Sequence, residues 1–273
     1  MFKTNIQIYG LIIIMSIISG LLVIYNNLKD EKFKNEKILG LMIYIVAGAI
    51  IGGKYYTFIM NYNEFKGIFS FNKVGLSSYG AIIGIIIMII IFSKQFKIKF
   101  SKIMYIIMPS IPLIYGIGKF GCFIAGCCYG IEYTGPFKII YKYSLSAPKG
   151  VSLFPIQFLE AIIFILIFII INSIYKNMKS KEKIIGITFI ICGIAKFLLD
   201  FLRYTSNYKL LSINQIFSII FVVIGIFLFF SVRFFKKSWN ELNYFYLYDT
   251  LSLLAIYQIC VLRLCTTCLS HII

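Results

Sequence analysis

Six charged side chains stand inside or at the ends of long apolar runs: Lys54, Lys119, Glu160, Lys196, Asp200 and Arg203. A charge at the centre of a bilayer costs roughly 2.5–3.5 kcal/mol on insertion scales, so each one that persists needs a partner or a task. Lys196, Asp200 and Arg203 fall at i, i+4 and i+7, one stripe of a helix, and Gln157 lies one turn before Glu160 on the same face. Tyr9, Tyr79, Gln215 and Ser218 bring uncharged polar groups to other apolar segments. Two readings stand side by side. The lysines snorkel to the interface and Lys196 pairs with Asp200 inside its own helix, or the set converges on a hydrated cavity that tolerates anions.

The seven cysteines fall as Cys122, Cys127 and Cys128 in one cluster, Cys192 alone, and Cys260, Cys265 and Cys268 near the end, where the single histidine, His271, also lies. Paired CxxC motifs and HExxH are absent, so the sequence assigns no metal, and it implies no cofactor. The first cluster reads as a small packing set, as a redox pair at a helix end, or as a direct participant in thiol or lipid handling.

The elements that position these residues follow from composition. Sixty per cent of the 273 residues are apolar, far more than the surface of a soluble domain of this length admits. Apolar runs between charged or turn-rich breaks predict about seven transmembrane helices, over 8–25, 38–59, 76–93, 103–120, 154–175, 184–202 and 213–232. The expected fold is therefore an all-α polytopic membrane bundle. The first run lacks a small-x-small cleavage site and is followed by further spans, which reads as a retained helix. Residues 1–237 form one expected domain, with a tail over 238–273 whose apolar stretch 250–262 is an interfacial helix or a weak eighth span.

Net charge is +17, and 24 of the 27 basic residues are Lys. Most sit in short clusters between apolar runs, where they fix topology and meet anionic headgroups; a nucleic-acid partner is not expected. Loops 28–37, 94–102 and 176–183 carry four Lys each and Arg233, Lys236 and Lys237 follow the last run, so one side holds 15 basic residues against 8 on the other. The positive-inside rule then places the N-terminus outside. With that orientation and a rise of about 1.5 Å per residue, the polar groups all fall toward the outer ends of their helices.

Residues 118–130 read GKFGCFIAGCCYG, which resembles the signature G-R-x-G-N-F-x-N-G-E-x-x-G of bacterial prolipoprotein diacylglyceryl transferases. Tyr9-Gly10, GGKYY at 52–56, SYGAIIG at 78–84, FPIQFLE at 154–160, KFLLDFLR at 196–203 and SINQIFS at 212–218 are similar, in the same order, to further motifs of that family. The resemblance covers about residues 6–235 and implies seven spans with an external N-terminus. Gly118, Gly121, Gly126, Gly130, Gln157, Glu160, Arg203 and Gln215 match the family pattern. Lys replaces Arg at 54, 119 and 196, Cys122 stands at an Asn, Cys127 at a Glu, and Tyr79 at a His. Lys keeps the cation and loses the planar two-pronged grip.

The resemblance implies transfer of the diacylglyceryl group of phosphatidylglycerol to the lipobox cysteine of preprolipoproteins, whose signal peptides become partners, at the outer side of the bacterial cytoplasmic membrane. On that reading Lys119, Lys196 and Arg203 act on the lipid phosphate, and Tyr79 takes the position of the base. Asp200 and Glu160 orient the cations, and the signature glycines let backbone approach the headgroup. Tyr9, Lys54, Cys122, Gln157 and Gln215 complete the substrate-binding set. Two alternatives remain at this point: a diverged paralogue that binds an anionic lipid without transfer, and a membrane thiol–disulfide protein.

Overall fold

The computed structural model describes residues 2–60, 77–204 and 211–238. The expected tail, with its apolar stretch and its cysteines, lies outside them. Among the described residues eight helices follow in order: α1 (Phe2–Asp30), α2 (Asn35–Met60), α3 (Ser78–Gln95), α4 (Phe100–Ile107), α5 (Ser110–Ala125), α6 (Ile156–Asn177), α7 (Lys183–Asp200) and α8 (Ile213–Ser238). Each predicted apolar run is helical, and the chain is a polytopic, predominantly helical membrane protein. By length and composition α1, α2, α6 and α8 each suffice to cross a bilayer, and α4 with α5 makes a fifth candidate as one broken span. The apolar part of α3 is shorter, at Gly80–Gln95, and α7 carries Lys183, Lys196 and Asp200 along its length.

Two expected helices need correction. The run 103–120 is not one straight rod, because α4 and α5 meet at a 42° bend. Pro109 lies in the break and Pro112 in the first turn of α5; proline lacks the N–H that a helix interior needs and is tolerated where a helix begins. The run 184–202 ends at Asp200, so Arg203 is not the last member of a helical stripe.

The packing follows from where small residues lie. A Cβ on Gly84 would come within 2.0 Å of the Gly48 carbonyl oxygen, and one on Gly52 within 2.3 Å of that of Gly80, so α2 and α3 touch backbone to backbone. Gly186 and Gly225 do the same for α7 and α8. In lipid, where apolar side chains gain little by leaving the acyl chains, such close approach is what holds helices together. A central core of Leu28, Ile38, Leu41, Phe92, Ile103, Ile106, Ile171 and Ile184 gathers at the end where the basic loops lie. There Glu31 ties the loops together, pairing with Lys181 at 2.5 Å and Lys102 at 3.8 Å. Leu11, Ile14, Ile18, Ile43, Ile50, Leu166, Ile169, Val223 and Phe230 face outward, as a lipid-facing surface requires.

The stretch between α5 and α6 is more ordered than a plain loop. Strands β1 (Ile139–Ile140) and β2 (Ser152–Leu153) pair antiparallel, with Ile139 opposite Leu153. The amide of Leu145 donates to the carbonyl of Ala125 and that of Ala147 to Gly126, both at 2.9 Å, so this segment folds back over the end of α5.

Replacing Gly84 by Leu forces α2 and α3 apart. The expected loss is about 1–3 kcal/mol, as is usual for overpacking, seen as a lowered melting temperature of detergent-purified protein. An unchanged melt would mean that the two helices do not meet at Gly84.

Candidate functional site

Three helices deliver one buried ion cluster. Lys119 lies near the end of α5, Glu160 in the second turn of α6, and Lys196 one turn before the end of α7. The ammonium of Lys119 stands 2.7 Å from Glu160 Oε2, and that of Lys196 donates to Glu160 Oε1. Their side chains are only 1–3% exposed. The hydroxyl of Tyr115, one turn before Lys119, also donates to Glu160 Oε1 at 3.4 Å. Its ring lies 5.2 Å from the Lys119 nitrogen and 5.6 Å from that of Lys196, within cation–π range. An isolated buried charge would cost several kcal/mol, and one carboxylate shared by two ammonium groups and a phenol offsets that cost while leaving a positive excess.

Asp200 behaves differently from expectation. It forms no ion pair with Lys196 or Arg203 among the described residues; its carboxylate accepts from the Ser212 hydroxyl and from Asn214 Nδ2 at 3.2 Å. The reason lies in the next helix. Ser212 Oγ accepts from the Gln215 amide at 3.1 Å, and Gln215 Oε1 accepts from the Ser212 amide at 2.9 Å. Those reciprocal bonds are a capping box, the S-x-x-Q arrangement that closes a helix N-terminus. Asp200 therefore clasps the end of α7 to the start of α8, with its negative charge at the positive end of α8. It reaches Arg203 by electrostatic interaction without an ion pair among the described residues, and Gln215 is engaged in the cap.

Arg203 follows in a short ladder. Its residue bridges Gly130, and the flanking amides of Ile131 and Tyr204 donate to Leu202 and Tyr129 at 3.1 and 3.2 Å. The end of the glycine-bearing segment and the end of α7 are thus stitched together. Gly130 is needed there, because a Cβ would meet the Phe154 carbonyl oxygen at 2.5 Å and that of Leu202 at 3.0 Å. The half-buried guanidinium closes no ion pair among the described residues, yet it lies within electrostatic reach of Glu160 and Asp200.

The remaining candidates divide. Tyr9 packs its ring on Gly121, where a Cβ would sit 3.0 Å from the ring, and joins Cys122, Ala125, Cys127 and Cys128 in one apolar cluster. Gly126 ends α5 in the left-handed conformation at φ 67, where a side chain is strained. Gly121, Gly126 and Gly130 thus each have a packing or capping role of their own. Of the four signature glycines, Gly118 keeps the most room, since a Cβ there would stand 3.7 Å from the Ile13 side chain. Gln157, fully buried, donates from Nε2 to the Cys127 carbonyl at 2.8 Å and so anchors α6 to the turn after α5. Lys54 is half-buried on α2, whose main packing partner is α3. The side chain of Tyr79 lies outside the described residues.

Tyr115, Ser212 and Asn214, which the motifs alone do not single out, hydrogen-bond to the candidate residues Glu160 and Asp200. Tyr115 stands four residues before Lys119, and SINQ carries the cap pattern, so both signals are present in the chain.

Comparison with known proteins identifies the family. The family model described as prolipoprotein diacylglyceryl transferase matches residues 1–231. A phosphatidylglycerol–prolipoprotein diacylglyceryl transferase of Clostridium tetani is 30% identical over 246 residues, covering 87% of this chain and 97% of the relative. Transferase 2 of the same description from Clostridium perfringens is 30% identical over 234 residues, covering 84% and 91%. One from Finegoldia magna is 29% identical over 233 residues, covering 83% and 91%. With a match that reaches into every helix named above, the chain belongs to the prolipoprotein diacylglyceryl transferase family.

Proposed function

We propose that this protein transfers the diacylglyceryl group of phosphatidylglycerol to the lipobox cysteine thiol of preprolipoproteins, at the outer side of the bacterial cytoplasmic membrane. The observation that carries the reading is the buried Lys119–Glu160–Lys196 cluster with Arg203 beside it. Phosphatidylglycerol brings one negative charge on its phosphodiester. As the thiolate attacks the glyceryl carbon, the sulfur–carbon bond forms and the carbon–oxygen bond to phosphate breaks. Glycerol phosphate leaves with the bonding pair and a second negative charge. Three cations against Glu160 and the more distant Asp200 leave a positive excess that grows in value as that charge develops.

Glu160 holds the two lysines in place while no lipid is bound and competes with the phosphate when one arrives. Lys119 and Lys196 then act as point charges, and Arg203 supplies the two-pronged donor set that lysine lacks. Tyr79, at the position of the family's histidine, is the proposed acceptor of the client thiol's proton. A cysteine thiol is ordinarily near pKa 8.5, so the surrounding positive field also assists its ionisation. Client signal peptides reach the site from within the bilayer, beside the exposed apolar faces of the helices. Neither lipid binding without transfer nor thiol–disulfide exchange is favoured by the relatives' names.

Complementation of a strain depleted of its own transferase tests this reading. The unaltered chain restores growth, Lys119→Ala and Arg203→Ala each lower transfer by about 10²–10³, the scale of losing one charge-stabilising donor, and Cys127→Ser retains growth. Full rescue by both alanine variants would remove the cation mechanism.

The proposed orientation has its own check. Alkaline-phosphatase fusions placed after Lys149 should be active and fusions after Lys99 inactive. The reverse pattern would put the ion cluster on the cytoplasmic side, away from phosphatidylglycerol's proposed point of use.

A further inference from the structure

The sulfurs of Cys122, Cys127 and Cys128 all lie within 4.8 Å of one another, and all three residues are buried. Their meeting has a backbone cause. Cys122 sits in the last turn of α5, Gly126 turns left-handed at φ 67, and the Cys127 amide then donates back to the Cys122 carbonyl at 3.1 Å. Cys128 is itself left-handed at φ 54, a conformation that costs a side chain roughly 1–2 kcal/mol. Left-handed residues on either side of Cys127 curl the chain over the helix end and aim all three side chains into one space. Tyr9, Ile13, Ala125 and Leu145 wall that space.

Three thiolates on a divalent ion carry a net charge of −1. The surroundings complement it: Cys128 interacts electrostatically with both Lys119 and Arg203. Zinc–sulfur bonds of about 2.3 Å set sulfurs about 4 Å apart, so the cluster needs to close by less than about an ångström. Cys127 is disulfide-bonded in this structure, whereas Cys122 and Cys128 are thiols.

We propose that, once the Cys127 disulfide is reduced by a dithiol, Cys122, Cys127 and Cys128 form a binding site for one thiophilic metal ion of the zinc or cadmium type. The reduction converts the dithiol to its disulfide and leaves two thiols on the chain. Metal binding then releases the three cysteine protons to solvent. A bound ion fixes the turn whose Cys127 carbonyl receives the Gln157 amide, and so stiffens the junction of α5 and α6. The spacing C-x4-C-C is not a familiar ligand pattern, and only the double left-handed turn makes it one.

The test is cadmium titration of the full-length, detergent-purified protein after dithiol reduction and removal of the reductant, followed by thiolate-to-metal ultraviolet absorption and metal analysis. The expected result is one equivalent taken up by the native chain and by a variant with Cys260→Ser, Cys265→Ser and Cys268→Ser. Cys122→Ser and Cys128→Ser should each weaken uptake at least tenfold, while thermal melts without metal confirm that both variants are folded. Absence of uptake by the native chain overturns the site. So does uptake that survives Cys122→Ser and Cys128→Ser or vanishes with the tail cysteines.

Discussion

A single buried carboxylate organises the candidate site of this protein. Glu160 is held by Lys119 from one neighbouring helix and Lys196 from another, with the Tyr115 hydroxyl closing the group. Removing the carboxylate would leave two ammonium groups without an anion at a depth where water is scarce, and removing either lysine would shift the balance of a site built to hold excess positive charge. The positions of α5, α6 and α7 relative to one another are therefore tied to the same atoms that are proposed to bind the lipid phosphate.

Around that cluster the structure uses its polar groups to hold segment ends together. Asp200 clasps α7 to the capping box that begins α8, and Gln157 fastens α6 to the turn after α5. Gly130 and Arg203 knit two short extended segments side by side. These bonds lie at helix ends, where four N–H or C=O groups per terminus lack partners within the helix. In a membrane protein such groups have few other places to go. The opposite end relies on apolar packing around α4 and on Glu31 among the lysines of the loops. Apolar packing dominates one end of the bundle and a buried ion cluster the other.

Much of this was legible from residue types. Helical runs separated by lysine-rich loops announced the spans, because hydrophobicity over about 20 residues is a strong signal. Lys119, Glu160 and Lys196 stand out as charges inside apolar runs, and the cost of burying them singly calls for partners. Features governed by backbone torsion were less accessible. The fourth run reads as one helix, and its apolar pattern does not disclose the 42° break between α4 and α5 at Pro109. The i+4 spacing of Lys196 and Asp200 suggested a pair within one helix, but Glu160 offers Lys196 a partner across helices, and Ser212 and Asn214 engage Asp200. Nothing in the spacing of Cys122, Cys127 and Cys128 told of the two left-handed residues that bring their sulfurs together.

In the proposed reaction the lysines of the ion cluster grip a lipid phosphate. Calorimetric binding of short-chain phosphatidylglycerol to the purified protein, set against Lys119→Met and Lys196→Met, addresses that claim directly, with diacylglycerol as the phosphate-free control. A charge-assisted hydrogen bond is worth about 1.5–3 kcal/mol, so each substitution should weaken phosphatidylglycerol about tenfold or more and leave diacylglycerol binding unchanged. Equal affinity of the native and substituted proteins for phosphatidylglycerol would contradict it.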